Sequence, residues 1–276
     1  MSAGRENGGA PASSVVYALD FDGVLCDSVD ELIESVIRAA RRVFAAHSTE
    51  TWYAQLGSDP VRRQLTHLRP LIKTGYELVL LCRALAEGQY MDSDGPEQLR
   101  KAWPEPLKEQ LLEEYNSDFG ALNGAFSAER DDWIENDLDS WLAANKMFPG
   151  VVDALNQSEA LARYIITTKD KRYALRLLRA AGVTESAMPD DRVYGLGMGS
   201  KIEVLKIVLK NHPGAQVHFV EDYVPALESA SISLLGANVQ YFMASWGYNT
   251  LDDVKRAERN PFITVLDLDT FTSRMQ

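Results

Sequence analysis

The spacing of hydrophobic positions changes along this chain, and the change marks where one kind of structure gives way to another. Val15–Leu19 is a short run of apolar, β-prone residues, the pattern of a buried strand. After Ser28 the apolar residues recur at helical spacing. This stripe consists of Val29, Leu32, Ile33, Val36, Ile37, Ala40, Val43 and Phe44. The pattern predicts a strand followed closely by an amphipathic helix.

The middle of the chain keeps the helical period and contains few strand-like runs. Helical patterns cover 70–87, 97–115 and 128–145. We therefore expect 31–145 to form an all-α insertion with a small core of its own. Four tryptophans are candidates for that core: Trp52, Trp103, Trp133 and Trp141.

From Phe148 onward, strand-like and helix-like runs alternate. Strands are predicted at 162–167, 192–194, 217–220, 239–243 and 263–266, and helices at 171–181, 202–210 and 223–235. Alternation of this kind predicts an α/β fold, a Rossmann-like and mostly parallel sheet with helices on both faces. This core would comprise 15–30 and 146–276, while 1–14, rich in Gly, Ala and Ser, is expected to be disordered.

Composition narrows the class of protein. With 46% hydrophobic and 25% charged residues, and no apolar run near the roughly 20 residues needed to cross a bilayer, a soluble globular protein without a membrane segment is expected. The net charge of −12 argues against nucleic acid as a partner. The first residues lack the apolar segment of a secretory signal. Cys26 and Cys82 lack CxxC spacing and are expected to be reduced thiols, so a cytoplasmic location is predicted, with organelle import and oligomeric state left open.

Two acids directly follow the first predicted strand. Asp20 and Asp22 lie two residues apart, and Gly23 then allows the backbone to turn sharply. In α/β sheets, ligands bind at the carboxyl ends of strands. Two close carboxylates repel, so either one is protonated or a cation lies between them. The alternative is that Asp and Gly are ordinary turn residues at this position.

Three later strand ends also carry polar residues. The strand ending at Thr167 is followed by Thr168, Lys201 begins a predicted helix, and Glu221 and Asp222 follow a fourth apolar run. Before Lys201, glycines at 195, 197 and 199 have GxGxG spacing, which matches neither the dinucleotide fingerprint nor a P-loop. We therefore expect a flexible loop that positions Lys201.

The residues Asp20-Phe21-Asp22-Gly23-Val24-Leu25 resemble the first motif of the haloacid dehalogenase (HAD) superfamily, most of whose members are magnesium-dependent phosphatases. Thr167, Lys201 and the Glu221-Asp222 pair resemble the second, third and fourth motifs in their usual order. The helical insertion resembles the family's cap. Trp246-Gly247-Tyr248 resembles a segment of the phosphoglycolate-phosphatase-like members.

This resemblance implies a role for each residue. Asp20 would be the nucleophile and Asp22 the general acid and base, while Thr167, Thr168 and Lys201 would bind the phosphoryl oxygens. Mg²⁺ would be held by Asp20, the backbone carbonyl of Asp22 and Asp222, with Glu221 acting directly or through a water. Family members more often have Gly-Asp in the fourth motif, so the division of work between Glu221 and Asp222 stays open. The implied reaction is hydrolysis of a small phosphorylated metabolite through an aspartyl-phosphate intermediate.

Substrate specificity is expected to come from the cap. Arg69 or Lys73 could bind a second anionic group on the substrate, Glu77 could orient Arg69, and Arg130 is a further candidate. The alternative for each is a charge on a helix surface. Two other functions stay open: a phosphomutase on the same scaffold, and a binding or regulatory protein that keeps the fold without turnover.

Overall fold

The computed structural model describes residues 14–275, so the expectation of disorder for 1–14 falls outside the described residues except at Ser14. Ser14 is exposed, and its carbonyl accepts a hydrogen bond from the Gln216 amide. The chain forms two compact units. We call the part up to Leu25 together with the part from Met147 onward the core unit, and Cys26–Lys146 the helical unit.

The core unit is built on a parallel six-stranded sheet. The strands of the chain, in order, are β1 (Val15–Leu19), β2 (Cys26–Asp27), β3 (Lys146–Met147), β4 (Ala162–Ile166), β5 (Val193–Tyr194), β6 (Gln216–Glu221), β7 (Val239–Ala244) and β8 (Ile263–Leu266). The order in the large sheet is β5-β4-β1-β6-β7-β8. Leu19 is in register with Ile165 on one side and Val220 on the other. This architecture confirms the predicted α/β fold.

The helical unit contains seven helices: α1 (Val29–Val43), α2 (Asp59–Leu68), α3 (Leu78–Ala86), α4 (Gly95–Ala102), α5 (Leu107–Glu114), α6 (Phe119–Asn136) and α7 (Leu138–Ala143). Helix α1 packs against α3 and α6. The hydrophobic core of the helical unit includes Leu80 and Leu81 of α3, both completely buried. Trp103, Trp133 and Trp141 are also buried, and Trp52 packs partly buried against the same core.

The helical patterns at 70–87 and 97–115 are each interrupted in the structure. Residues 69–71 and 75–77 form 3₁₀ turns, and the helix begins only at Leu78. Thr74 and Glu77 form a capping box at the start of the second turn. The second pattern is divided between Ala102 and Leu107, where Pro104 and Pro106 lack amide hydrogens. Each of these helical patterns therefore covers several short elements and not one continuous helix.

The remaining helices belong to the core unit: α8 (Val151–Gln157), α9 (Lys171–Ala180), α10 (Lys201–Asn211), α11 (Val224–Ser233), α12 (Leu251–Glu258) and α13 (Leu268–Met275). Residues of α10, α11 and α12 share one hydrophobic core with β1, β4, β6, β7 and β8. Helix α13 packs against α8. Among the helices of residues 14–275, none is long and apolar enough to cross a membrane.

A buried ion pair joins α1 to α6 inside the helical unit. Arg130 donates two hydrogen bonds to Glu31, at 2.6 Å from Nε to Oε1 and 2.7 Å from Nη2 to Oε2. Ser35 Oγ also donates to Glu31 Oε1 at 2.6 Å. Glu31 is completely buried, so its charge depends on these donors rather than on water.

We expect Arg130→Met to lower the free energy of unfolding by about 3 kcal/mol, because it leaves the buried Glu31 carboxylate without its cation. The matched control is Arg42→Met, since Arg42 forms an exposed pair with Glu129 and its loss should change stability by less than about 1 kcal/mol. Urea denaturation followed by circular dichroism measures both. Equal effects would show that the buried pair contributes no more than the exposed one.

Candidate active site

The order of the strands brings the predicted site residues of the core unit together at one end of the sheet, where the parallel strands have their carboxyl ends. Strands β4, β1 and β6 are neighbours, and Thr167, Asp20 and Asp222 each follow the last residue of one of them. The Asp20 amide still donates to Val220 O at 3.0 Å, which fixes the first acid beside the end of β6. These three residues, together with Glu221, therefore lie at the carboxyl ends of adjacent strands.

Three carboxylates form a buried cluster at this end of the sheet. Asp20, Glu221 and Asp222 each offer an oxygen within 4.8 Å of the others, and their exposed fractions are 8%, 1% and 5%. Burial raises the pKa of Asp20, the charges of Glu221 and Asp22 raise it further, and Lys201 opposes them, leaving it at about 7. Burial likewise raises the pKa of Glu221. The cluster therefore favours an additional cation.

Lys201 supplies positive charge to the cluster from the first turn of α10. Its Nζ lies 3.1 Å from Asp20 Oδ1 and also donates to Glu221 Oε2. Burial lowers the pKa of Lys201, but Asp20 and Glu221 together raise it by more, so the net shift is upward. A cation is unfavourable at a helix N-terminus. Lys201 nevertheless lies in the first turn of α10, because Asp20 and Glu221 stabilise its charge and the capping box between Ser200 and Glu203 fixes where the helix begins.

Two glycines allow the backbone to approach Asp222 closely. Gly23 has φ +86°, and a Cβ there would lie 1.9 Å from Asp222 Oδ2. A Cβ on Gly247 would lie 2.4 Å from Asp222 Cβ and 2.4 Å from Gly23 O. The Tyr248 amide donates to Asp222 Oδ2 at 2.6 Å. Asp222 is thus held between the turn after β1 and the segment after β7.

Thr167 directly follows β4, and both its backbone amide and its hydroxyl form hydrogen bonds. Its amide donates to Tyr194 O at 2.9 Å, and its Oγ1 accepts from the Lys169 amide at 3.1 Å. A hydroxyl that accepts one hydrogen bond still has its own proton to donate. Thr168, the next residue, is half-buried.

The structure adds one residue that the sequence patterns did not identify. Lys169 Nζ lies 3.0 Å from Asp22 Oδ1, and the lysine side chain is 1% exposed. The only sequence signal is a basic residue two positions after Thr167, at a strand end of an acidic chain. Asp22 is thereby paired with a lysine from the end of β4.

The candidate residues of the helical unit have partners within that unit. Arg69 Nη1 donates to Ile72 O at 3.1 Å. Glu77 Oε2 accepts from the Lys73 and Thr74 amides at 3.3 Å each, and Glu77 Oε1 lies 3.5 Å from Lys108 Nζ. The Glu77 carboxylate thus holds the segment that carries Lys73, whose own side chain is exposed. Arg130 forms the buried pair with Glu31 described above.

The donor set of the carboxylate cluster fits a hard divalent cation. All three side chains offer oxygen, the ligand that Mg²⁺ and Ca²⁺ prefer. Asp20 Oδ1 is completely buried and accepts no well-aligned hydrogen bond from any described residue, although Lys201 is near. An oxygen in this condition is suited to coordinate a metal.

The fold of this chain is similar to the folds of several proteins of known structure. No family model matches the chain, and no curated protein sequence matches it. A predicted phosphoglycolate phosphatase from Haemophilus somnus is similar in structure with a TM-score of 0.60 and 13% identity, covering 97% of this chain and 100% of that one. A haloacid dehalogenase-like family hydrolase from Streptococcus pneumoniae gives 0.55 and 14%, covering 95% and 99%. A predicted phosphatase from Clostridium acetobutylicum gives 0.52 and 15%, covering 94% and 96%. The chain has the haloacid dehalogenase-like fold.

We expect millimolar Mg²⁺ to raise the melting temperature of the wild type, because a ligand bound only by the folded state stabilises it, by about 2.7 kcal/mol at 100 times its Kd. Asp222→Asn removes one carboxylate charge and should reduce this shift. Asp252→Asn, an exposed acid on α12, is the control and should keep it. Differential scanning fluorimetry with EDTA and with added metal measures the shifts. The same Mg²⁺ shift in wild type and Asp222→Asn would remove Asp222 from the metal site.

Gly23→Ala should abolish the Mg²⁺-dependent shift, because the added methyl group would displace the Asp222 carboxylate. The control is Gly214→Ala, where φ is +85° and nothing lies within 4 Å of the added carbon. Both variants carry the backbone strain of roughly 1–2 kcal/mol, but only the first has the close contact. Retained metal binding in Gly23→Ala would contradict this account of Asp222.

Proposed function

We propose that this protein is a magnesium-dependent phosphatase that hydrolyses a small phosphorylated metabolite through an aspartyl-phosphate intermediate on Asp20. The observation that carries the proposal is the position of Asp20, at the carboxyl end of an interior strand, 3.1 Å from the Lys201 ammonium and beside two further carboxylates. A buried carboxylate held next to a cation and a metal-type cluster is suited to attack phosphorus. The fold supports the same conclusion.

In the first step a carboxylate oxygen of Asp20 attacks phosphorus. The new oxygen–phosphorus bond forms as the bond to the leaving alcohol breaks, and Asp22 gives its proton to the leaving oxygen. Lys201 neutralises charge on the phosphoryl oxygens, and Thr167 donates its hydroxyl proton to one of them, with Thr168 beside it. These contacts stabilise charge where phosphoryl transfer develops it.

In the second step Asp22 takes a proton from water. The water oxygen attacks phosphorus, the bond to Asp20 breaks, and the Asp20 carboxylate is regenerated as inorganic phosphate leaves. The same side chain thus serves as acid and then as base, which returns the site to its starting protonation state.

Asp20, Asp222 and the backbone carbonyl of Asp22 would hold the Mg²⁺. Glu221 already accepts hydrogen bonds from Lys201 and, through Oε1, from the Tyr223 amide, which favours action through a water. When bound, the ion supplies positive charge for the phosphoryl oxygens. Two negative oxygens and a carbonyl, with waters, are the usual ligand type for Mg²⁺.

Within the helical unit, Arg69 and Lys73 are our candidates for binding a second anionic group of the substrate. The hydrogen bonds from the Lys73 and Thr74 amides to Glu77 stabilise the backbone of this segment. We do not include Arg130 in the proposed binding set, because its guanidinium is committed to the buried Glu31. Two buried, unoxidised cysteines, Cys26 and Cys82, favour a cytoplasmic location.

Asp20→Asn should abolish phosphate release, since the amide keeps the shape of the side chain but is not a nucleophile. The measurement is inorganic phosphate released from a panel of small phosphomonoesters with Mg²⁺, and EDTA should stop turnover reversibly. Asp22→Asn should lower kcat by roughly 10²–10⁴-fold for alkyl esters.

Asp252→Asn is the control for the loss of one acidic charge and should keep full activity. Phosphate release by Asp20→Asn at the wild-type rate would exclude Asp20 as nucleophile. Interconversion of phosphate isomers without net release, dependent on a bisphosphate activator, would instead indicate a mutase.

A further inference from the structure

We propose that Lys169 is a positioning residue that orients the carboxyl group of Asp22 for proton transfer, an inference that rests on the proposed phosphatase function. Its ammonium lies 3.0 Å from Asp22 Oδ1, and the two residues are 147 positions apart in sequence. The side chain of Lys169 is 1% exposed and that of Asp22 is 15% exposed. A lysine this deeply buried is specifically held against its partner.

The chemistry of the ammonium group selects one oxygen of Asp22. An ammonium has three donors and no acceptor, so it can contact only an oxygen lone pair, never a carboxyl proton. The carbonyl oxygen of a carboxyl group accepts a hydrogen bond better than its hydroxyl oxygen, so with Lys169 on Oδ1 the proton that Asp22 gives to the leaving group is favoured on Oδ2. The ion pair therefore fixes which edge of the carboxyl group is the acid and how the group is turned.

The backbone around Lys169 is fixed on both sides. Its amide donates to Thr167 Oγ1 at 3.1 Å, and its carbonyl accepts from the Leu196 amide at 3.0 Å. Gly195 packs against the same turn, because a Cβ there would lie 2.8 Å from Lys169 O and 2.4 Å from Lys171 N. The loop that leads to Lys201 thus also holds Lys169, so both ammonium groups of the site have a common support.

Stability alone is a weak reason for such a pair. Burying two charges costs desolvation that their attraction only partly offsets, and apolar replacements of buried pairs are often neutral. Catalysis offers a reason, because a misplaced acid loses much of its contribution to the rate. Because kcat/KM covers the steps up to departure of the leaving group, an effect of Lys169 on kcat/KM reports the step in which Asp22 donates its proton.

The test compares substrates that differ in how much they need a proton on the leaving group. A nitrophenolate leaves readily without protonation, whereas an alkoxide needs it. We expect Lys169→Met to lower kcat/KM for an alkyl ester, glycerol 2-phosphate, about tenfold or more, a part of the full effect of a general acid. The value for p-nitrophenyl phosphate should change little. Lys169→Arg, which keeps a positive charge at this position, should restore part of the kcat/KM for glycerol 2-phosphate.

A merely structural role would lower kcat/KM for both substrates by the same factor, and that result would overturn the inference. In an Asp22→Asn background, Lys169→Met should not change the ratio of the two kcat/KM values further, since the two residues act as a unit. A further change would also contradict the inference. Lys210→Met, an exposed lysine of α10, is the matched control and should leave both values unchanged.

Melting curves show whether each variant is folded, and Lys169→Gln replaces Lys169→Met if that variant is not. A wild type without phosphatase activity would defeat the proposed function and the role of Lys169 with it. If the wild type is active and the Lys169 variants lower kcat/KM for both substrates by the same factor, only the role of Lys169 would be contradicted.

Discussion

The crowding of carboxylates at the carboxyl ends of β1 and β6 is the constraint on which the rest of the site depends. Four acids meet two ammonium groups here: Asp20, Asp22, Glu221 and Asp222 against Lys169 and Lys201. With all four acids ionised, the negative charges would exceed the positive ones by two in a poorly hydrated place, an arrangement that is costly without compensation. The raised pKa of Asp20, about 7, expresses that cost. A doubly charged cation would balance the count.

Backbone contacts, more than side-chain packing, keep these charges in place. Gly23 and Gly247 leave no room for a Cβ next to Asp222, and the Tyr248 amide donates to it. The loop from Gly195 to Ser200 similarly approaches the turn of Lys169 and then starts the helix that carries Lys201. The acids are held by segments after β1 and β7, and the lysines by segments after β4 and β5.

The strand ends were predictable from sequence because each has a local signal, an apolar run closed by a polar residue. The positions of Asp20, Thr167 and the two acids at the end of β6 were predicted in this way, and β1 and β8 have the predicted bounds. Lys169 was not found, since its partner is 147 residues away and no local period records that distance. In the helical unit, apolar spacing did not show the breaks within 70–87 and 97–115. Helix α2 was also missed, although Val61, Leu65 and Leu68 have helical spacing.

The place of β1 in the sheet has a consequence for how the protein is made. Its two neighbours, β4 and β6, both come from sequence beyond residue 146, so the first strand leaves the ribosome long before either partner exists. At roughly 5–20 residues per second, the apolar residues of β1 wait about 7 to 30 seconds for β4. The helical unit is continuous in sequence, from Cys26 to Lys146, and can fold during that interval. The apolar residues of β1 therefore stay without their neighbouring strands until the whole helical unit has been made.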